Sequence, residues 1–216
     1  MSWRWRTPTK SSPWEWCRVY HQGTFSPRGD SARAFGPLSR FDPHSPGTAG
    51  ATIDPAGRTV LYAGKDLATS ACEVFGESGV APLCPSWRVA LVRPTRRLTL
   101  FDLNSPGAAM AIGALPALSD GPYARGLTQE WARAIYEDNP TGSHIDGIRY
   151  QSGYNGGVAL ALWDSAMDVT VVSDKLSGPQ DFRLRDPLIL GRLYGALKAR
   201  QIVVRIVSAS GCPKCP

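Results

Sequence analysis

Apolar and polar positions alternate at period two over residues 87–93 and again over 97–103, on either side of a Pro94-Thr95 break. Side chains along a strand point to opposite faces in turn, so this spacing predicts two half-buried strands, read as a pair. Residues 14–20 alternate in the same way and predict a first strand, which carries Arg18. Residues 146–152, 158–163, 169–173 and 202–207 predict four more. Helical signals fall between these groups. An alanine-rich run over 106–118 predicts a short helix stopped by Pro116. Thr128 predicts the cap of a helix over 129–138, with Trp131, Ala134 and Ile135 as its apolar stripe. Asp186-Pro187 predicts the start of a helix to about Arg200, with Leu190, Leu193 and Leu197 inward.

The stretch 59–73 carries both periods in succession. Residues 59–63 are β-branched and aromatic, Gly64 breaks the run, and Asp66 is a good N-cap for a helix that reaches Glu73. Asp66 and Glu73 stand seven apart, close to one helix face. A carboxylate is thereby placed on a rigid helix beside a strand-end tyrosine, Tyr62. Taken alone, a helical glutamate is most often a solvated one. Residues 21–58, rich in glycine and proline, predict a loop too long to be neutral inside a compact domain. Strands cluster rather than alternate strictly with helices, which favours an α+β class in a single domain over a doubly wound sheet. Residues 1–13 are polar and basic and predict a flexible N-terminal arm; residues 208–216 predict a flexible C-terminal tail.

Composition changes this picture only in its charge. The chain carries 24 Lys+Arg against 18 Asp+Glu, and the excess is arginine, whose planar fork suits phosphate and carboxylate groups. The longest apolar run, 158–163, is far too short to span a bilayer, and no signal peptide is evident, so a cytoplasmic setting without a membrane partner is expected. The five cysteines follow no framework spacing. Cys212-Pro213-Lys214-Cys215 is a lone CxxC, half of a zinc site at best, and no metal is assigned. Walker, GxGxxG, GxSxG and HExxH patterns are absent, and His21, His44 and His144 are scattered, as loop or surface residues would be. Trp3-Arg4-Trp5-Arg6 interleaves rings with charge but is too short to predict nucleic-acid binding.

Four segments in order carry a resemblance: Arg18-Val19-Tyr20, then 36–43 (GPLSRFDP), then Leu61-Tyr62-Ala63 with Glu73, then 146–152 (DGIRYQS). Together they resemble the RES domain family, named for an arginine, a glutamate and a serine, over residues 14–207. The resemblance implies a toxin of a type II toxin–antitoxin pair with an ADP-ribosyltransferase-like α+β fold. It implies cleavage of NAD at the nicotinamide–ribose bond, with phosphate or water as acceptor. NAD is then substrate rather than cofactor, phosphate a possible co-substrate, and a cognate antitoxin the protein partner. Transfer of ADP-ribose to a protein and a non-catalytic basic binding module are the alternatives.

Carried over by position, Arg18 and Arg40 hold the pyrophosphate, Tyr62 and Ser152 position the nicotinamide riboside, and Glu73 stabilises the charged ribose. Nicotinamide in NAD is already cationic and leaves neutral, so one carboxylate suffices where ordinary glycoside hydrolysis needs two. The chain departs from the family at Arg40-Phe41-Asp42, where Arg-Trp-Asn is common. Asp42 is read as a turn residue before Pro43.

Overall fold

The computed structural model describes residues 2–5, 15–119 and 124–215. Besides four two-residue strands, its strands are β1 (Ser2–Trp5), β2 (Trp16–His21), β3 (Val60–Gly64), β4 (Val80–Leu83), β5 (Trp87–Pro94), β6 (Leu98–Asp102), β7 (Gly147–Gln151), β8 (Val158–Trp163), β9 (Val169–Val171), β10 (Asp181–Arg183) and β11 (Val203–Ile206). Its helices are α1 (Leu67–Phe75), α2 (Ala108–Ala111), α3 (Arg125–Asp138) and α4 (Pro187–Lys198). Nine strands form one mixed sheet in the order β1-β6-β7-β8-β3-β2-β5-β9, with β10 also on β5. β6 and β7 run parallel, Phe101 opposite Ile148. The α+β expectation is met. No helix among the described residues is long and apolar enough to cross a membrane.

The period-two pattern sorts the core. Val60 and Tyr62 of β3 face one side with Ile148, Tyr150, Ala159 and Ala161, while Leu61 and Ala63 face the other with Leu160 and Leu162. Cys17 of β2 stands opposite Gly64, so Cys17 and Val19 share the Tyr62 side and pack against Ala71 and Cys72 of α1. Trp16 and Tyr20 turn to the far side. α1 can lie this close because Gly64 has no side chain: a Cβ there would come 2.4 Å from the Ser70 amide nitrogen. Asp66 caps α1 as expected, accepting from the Thr69 N–H at 2.7 Å.

Several expectations need correction. The strands at 87–93 and 97–103 do not pair: β5 bonds β2, β9 and β10, whereas β6 lies between β1 and β7, with four strands separating it from β5. α3 begins three residues before Thr128, whose hydroxyl donates to the Arg125 carbonyl at 2.8 Å from inside the helix. Its buried residues are Thr128, Gln129, Ala132 and Ile135, with Trp131 and Ala134 turned half outward. The 106–118 helix is only α2 and a 3-10 turn over Pro116–Leu118, because Gly113 at φ +84° reverses the chain between them. β4, absent from the reading because Pro82 masks it, pairs parallel with β11. Ser2–Trp5, placed in a loose arm, forms the edge strand β1 along β6, and residues 6–14 lie outside the described residues. The segment after β11 turns at Ala209–Gly211 and buries Cys212.

Candidate active site

The long loop after β2 is held by two buried carboxylates, Asp54, which accepts from the Ser45 and Ala56 N–H groups, and Asp42. Asp42, fully buried, accepts from both sides of the chain: Arg33 Nη2 at 2.9 and 2.7 Å, and the Leu38 and Ser39 N–H groups at 2.6 and 3.1 Å. The Tyr62 hydroxyl donates to Asp42 at 2.8 Å and accepts from the Phe41 N–H at 3.0 Å. Asp42 is therefore more than a turn residue before Pro43. It points inward, and Arg33 neutralises the charge that this chain carries there. Tyr62 sits in the middle of this knot with its hydroxyl engaged twice, and burial with the Asp42 charge pushes its phenol well above the usual range. His44, expected as a loop or surface residue, lies in the loop but is buried, 3.9 Å from Asp42, and burial pushes its imidazole down.

This knot presents Arg40. Its guanidinium donates to the Leu118 carbonyl at 3.1 Å and lies over the rings of Phe41, 5.1 Å, and Tyr150, 5.9 Å. Its Nε is buried without a hydrogen-bond partner among the described residues. Tyr150, on β7, is wholly buried and reaches α1, where its hydroxyl donates to Glu73 Oε2 at 2.6 Å. Burial, then the Glu73 charge, pushes the Tyr150 phenol well above its ordinary value, so it is a proton donor throughout the neutral range. The second oxygen of Glu73, Oε1, is buried and has no partner among the described residues. Glu73 is thus an oriented, half-buried acid on the second turn of α1, one tyrosine ring from Arg40.

Ser152 continues the face of Tyr150 two residues on and is buried. Its hydroxyl accepts from the Tyr154 N–H at 3.3 Å, and its N–H donates to the Gly157 carbonyl at 2.7 Å, closing the glycine turn. That turn is tied to α1, because Asn155 donates to Thr69 Oγ1 at 3.2 Å. A Cβ on Gly157 would stand 2.1 Å from the same Thr69 oxygen. Tyr154 lays its ring over the end of α1, where a Cβ on Gly76 would meet its Cγ at 2.4 Å. Burial, then Glu77 and Glu73, push its phenol up, while Arg125 and Arg40 oppose this.

Arg18 does not join this group. It stands beside Ala90 in register, on the sheet face of Trp16 and Tyr20, opposite to Tyr62 and α1. Its guanidinium donates to the Gly29 carbonyl at 3.1 Å, to the Ser31 carbonyl, and to Ser26 Oγ at 3.5 Å. Burial pushes its pKa down to about 10, which leaves it charged at neutral pH.

The structure thus brings Glu73, Arg40, Tyr62 and Ser152 around Tyr150 and leaves Arg18 on the far side. Tyr150, Tyr154 and Arg33 are the residues that sequence reasoning passed over, and Asp42 the one it read only as a turn residue. Tyr150 was within reach, since it shares a strand face with Ser152. Two surface cavities, one of about 380 Å³ lined in part by Phe101, Ile112 and Trp131 and one of about 350 Å³ lined in part by Arg28, Arg88 and Asp181, contain none of these residues. The orphaned atoms of Arg40 and Glu73 mark the candidate site.

A family model for the RES domain matches residues 5–185. The match spans most of the chain, which therefore belongs to the RES domain family. No curated protein matches the chain.

Proposed function

We propose that this RES domain protein is the toxin of a toxin–antitoxin pair and cleaves NAD at the nicotinamide–ribose bond, with phosphate or water as acceptor. The observation that carries the reading is the Tyr150–Glu73 contact at 2.6 Å, with Glu73 Oε1 buried and unpaired among the described residues and Arg40 across the same ring. It also rests on family membership and on an ADP-ribosyltransferase-like reading of the mixed sheet.

As the glycosidic bond lengthens, nicotinamide departs neutral and its positive charge passes to the ribose ring. Glu73, fixed by Tyr150, presents its second oxygen to that charge before it forms, which is the condition for strong electrostatic stabilisation. Arg40 supplies a permanent cation for the pyrophosphate, with Nε as the free donor. Ser152 and the ring of Tyr154 shape the nicotinamide riboside end. Tyr62 acts through the loop: its hydroxyl holds Phe41 and Asp42, and so sets where Arg40 stands. Arg18 has no part in this scheme, since its donors face loop carbonyls across the sheet. A protein that removes NAD from its own host needs restraint, and an antitoxin that covers Arg40 and Glu73 supplies it.

The test is direct. Purified chain, freed of any antitoxin, is incubated with NAD with and without phosphate, and nicotinamide is followed by chromatography. Release of free nicotinamide without labelled protein supports the proposal. Intact NAD under both conditions overturns it, and ADP-ribosylated protein moves the reading to the transferase alternative.

A further inference from the structure

Three distant parts of the chain meet at one corner outside the candidate active site. His21 ends β2, Cys84 follows β4, and Cys212 and Cys215 lie beyond β11. Their ligand atoms all fall within 4.8 Å of one another. We propose that His21, Cys84, Cys212 and Cys215 bind one structural zinc ion.

The backbone builds this corner deliberately. His21 pairs with Trp87, and the Gln22 N–H donates to the Ser86 carbonyl at 2.8 Å, which brings the 84–87 turn beside the end of β2. β11 runs parallel to β4 with Ile206 opposite Leu83, and the Val207 N–H donates to the Leu83 carbonyl at 3.1 Å. The chain thus passes Cys84, turns at Ala209–Gly211, and closes the Cys212–Cys215 turn with an N–H donated from Cys215 to the Cys212 carbonyl at 3.2 Å. His21 has its orientation fixed by an edge-on contact with Trp87, ring centres 5.1 Å apart.

The distances fit a tetrahedron. With Zn–S near 2.3 Å and Zn–N near 2.0–2.1 Å, its edges are about 3.8 Å between sulfurs and about 3.6 Å from sulfur to nitrogen. Here the Cys84 and Cys215 sulfurs are 3.5 Å apart, and His21 Nε2 lies 3.3, 3.8 and 3.4 Å from the sulfurs of Cys84, Cys212 and Cys215. A disulfide requires sulfurs about 2.0 Å apart. Three soft thiolates and one imidazole select zinc over magnesium or calcium, and four protein ligands leave no open position for chemistry. On binding, the three thiols release their protons and each sulfur bonds the metal.

The consequence is mechanical. Trp87, against His21, also meets Phe75, ring centres 4.8 Å apart, and Phe75 closes α1 two residues after Glu73. The metal clips the chain's last segment to the layer behind that helix, whatever reaction the site performs.

The full chain, produced in zinc-supplemented medium and purified without chelator, should carry about one zinc per molecule by elemental analysis. The Cys212→Ser/Cys215→Ser variant should carry less than about a tenth of that. Cobalt titration of metal-stripped wild type should give the thiolate charge-transfer band and intense visible bands of a tetrahedral site, a readout that does not depend on any variant folding. Zinc retained in full by the double variant, a wild-type protein with neither zinc nor tetrahedral cobalt bands, or a mass showing a native disulfide among these cysteines would each overturn the proposal.

Discussion

Arg18 and Arg40 look alike in the sequence, each within two residues of an aromatic side chain and each matching a family arginine, yet the fold treats them oppositely. Arg18 is buried with its donors on Gly29, Ser31 and Ser26, and the loop over β2 closes around it. Among the described residues Arg40 gives one bond, to Leu118, rests on Phe41 and Tyr150, and keeps a buried Nε without a partner. A motif can supply a guanidinium. Whether it binds a ligand depends on how many of its donors the protein has already satisfied, and that is decided by sheet face. Arg18 leads to the side of Trp16, Arg40 to the side of Glu73.

The largest expected effect tests what holds the Arg40 corner together. Asp42→Ala leaves the Arg33 guanidinium and two loop N–H groups without their acceptor, a buried pair broken on one side. Such a change costs about 3–5 kcal/mol. Urea unfolding should show that loss, and a variant of wild-type stability would mean the loop is held some other way. Next is Glu73→Gln, which keeps shape and the Tyr150 contact but removes the charge. Turnover of NAD should drop by about 10²–10³, or ~3–4 kcal/mol, with the unfolding midpoint nearly unchanged. Full activity in this variant would remove Glu73 from the mechanism.

The two arginines themselves come third, and their variants should separate on two readouts. Arg40→Met should lower kcat/KM by about 10- to 100-fold, the worth of ~1.5–3 kcal/mol for a charged hydrogen bond, with little change in unfolding. Arg18→Met should leave buried carbonyls unpaired, at about 1–3 kcal/mol each, while turnover per folded molecule stays near wild type. An Arg18→Met protein that is fully stable and inactive would reverse the comparison.

Local rules carried well where one element settles its own geometry. Asp66, Gly64 and Glu73 lie where a strand, a turn and a capped helix require, and period two sent Tyr62 and Ser152 to one face. Pairing did not carry. Strands β5 and β6 are adjacent in the chain, but after Pro94 the chain crosses to the other end of the sheet, and no alternation pattern records that crossing. The Arg33–Asp42 pair was hidden for a related reason: the loop's folding depends on which buried charges meet, and the eight residues between them give no period to read. The cysteine corner is the extreme case. Its ligands come from positions 21, 84, 212 and 215, and only the last two are neighbours in the sequence.

The smallest expected effect concerns Tyr150, the residue that joins the halves of the Arg40 corner. Its phenol is held well above the usual value by burial and by Glu73, so the folded state favours the protonated form. That contribution to stability is complete below the unfolded value near 10. Above it the unfolded chain releases the proton while the folded chain keeps it, so stability falls by about 1.4 kcal/mol per pH unit for this group. Tyr62 adds a slope of the same sign. Urea midpoints measured from pH 8 to 11 on wild type and on Tyr150→Phe should therefore converge as the pH rises past 10, since the variant lacks one of the titrating groups. Parallel curves would mean that Tyr150 titrates like an exposed tyrosine. Glu73 would then lose its fixed donor, and the distinction drawn between the two arginine corners would rest on Arg40 alone.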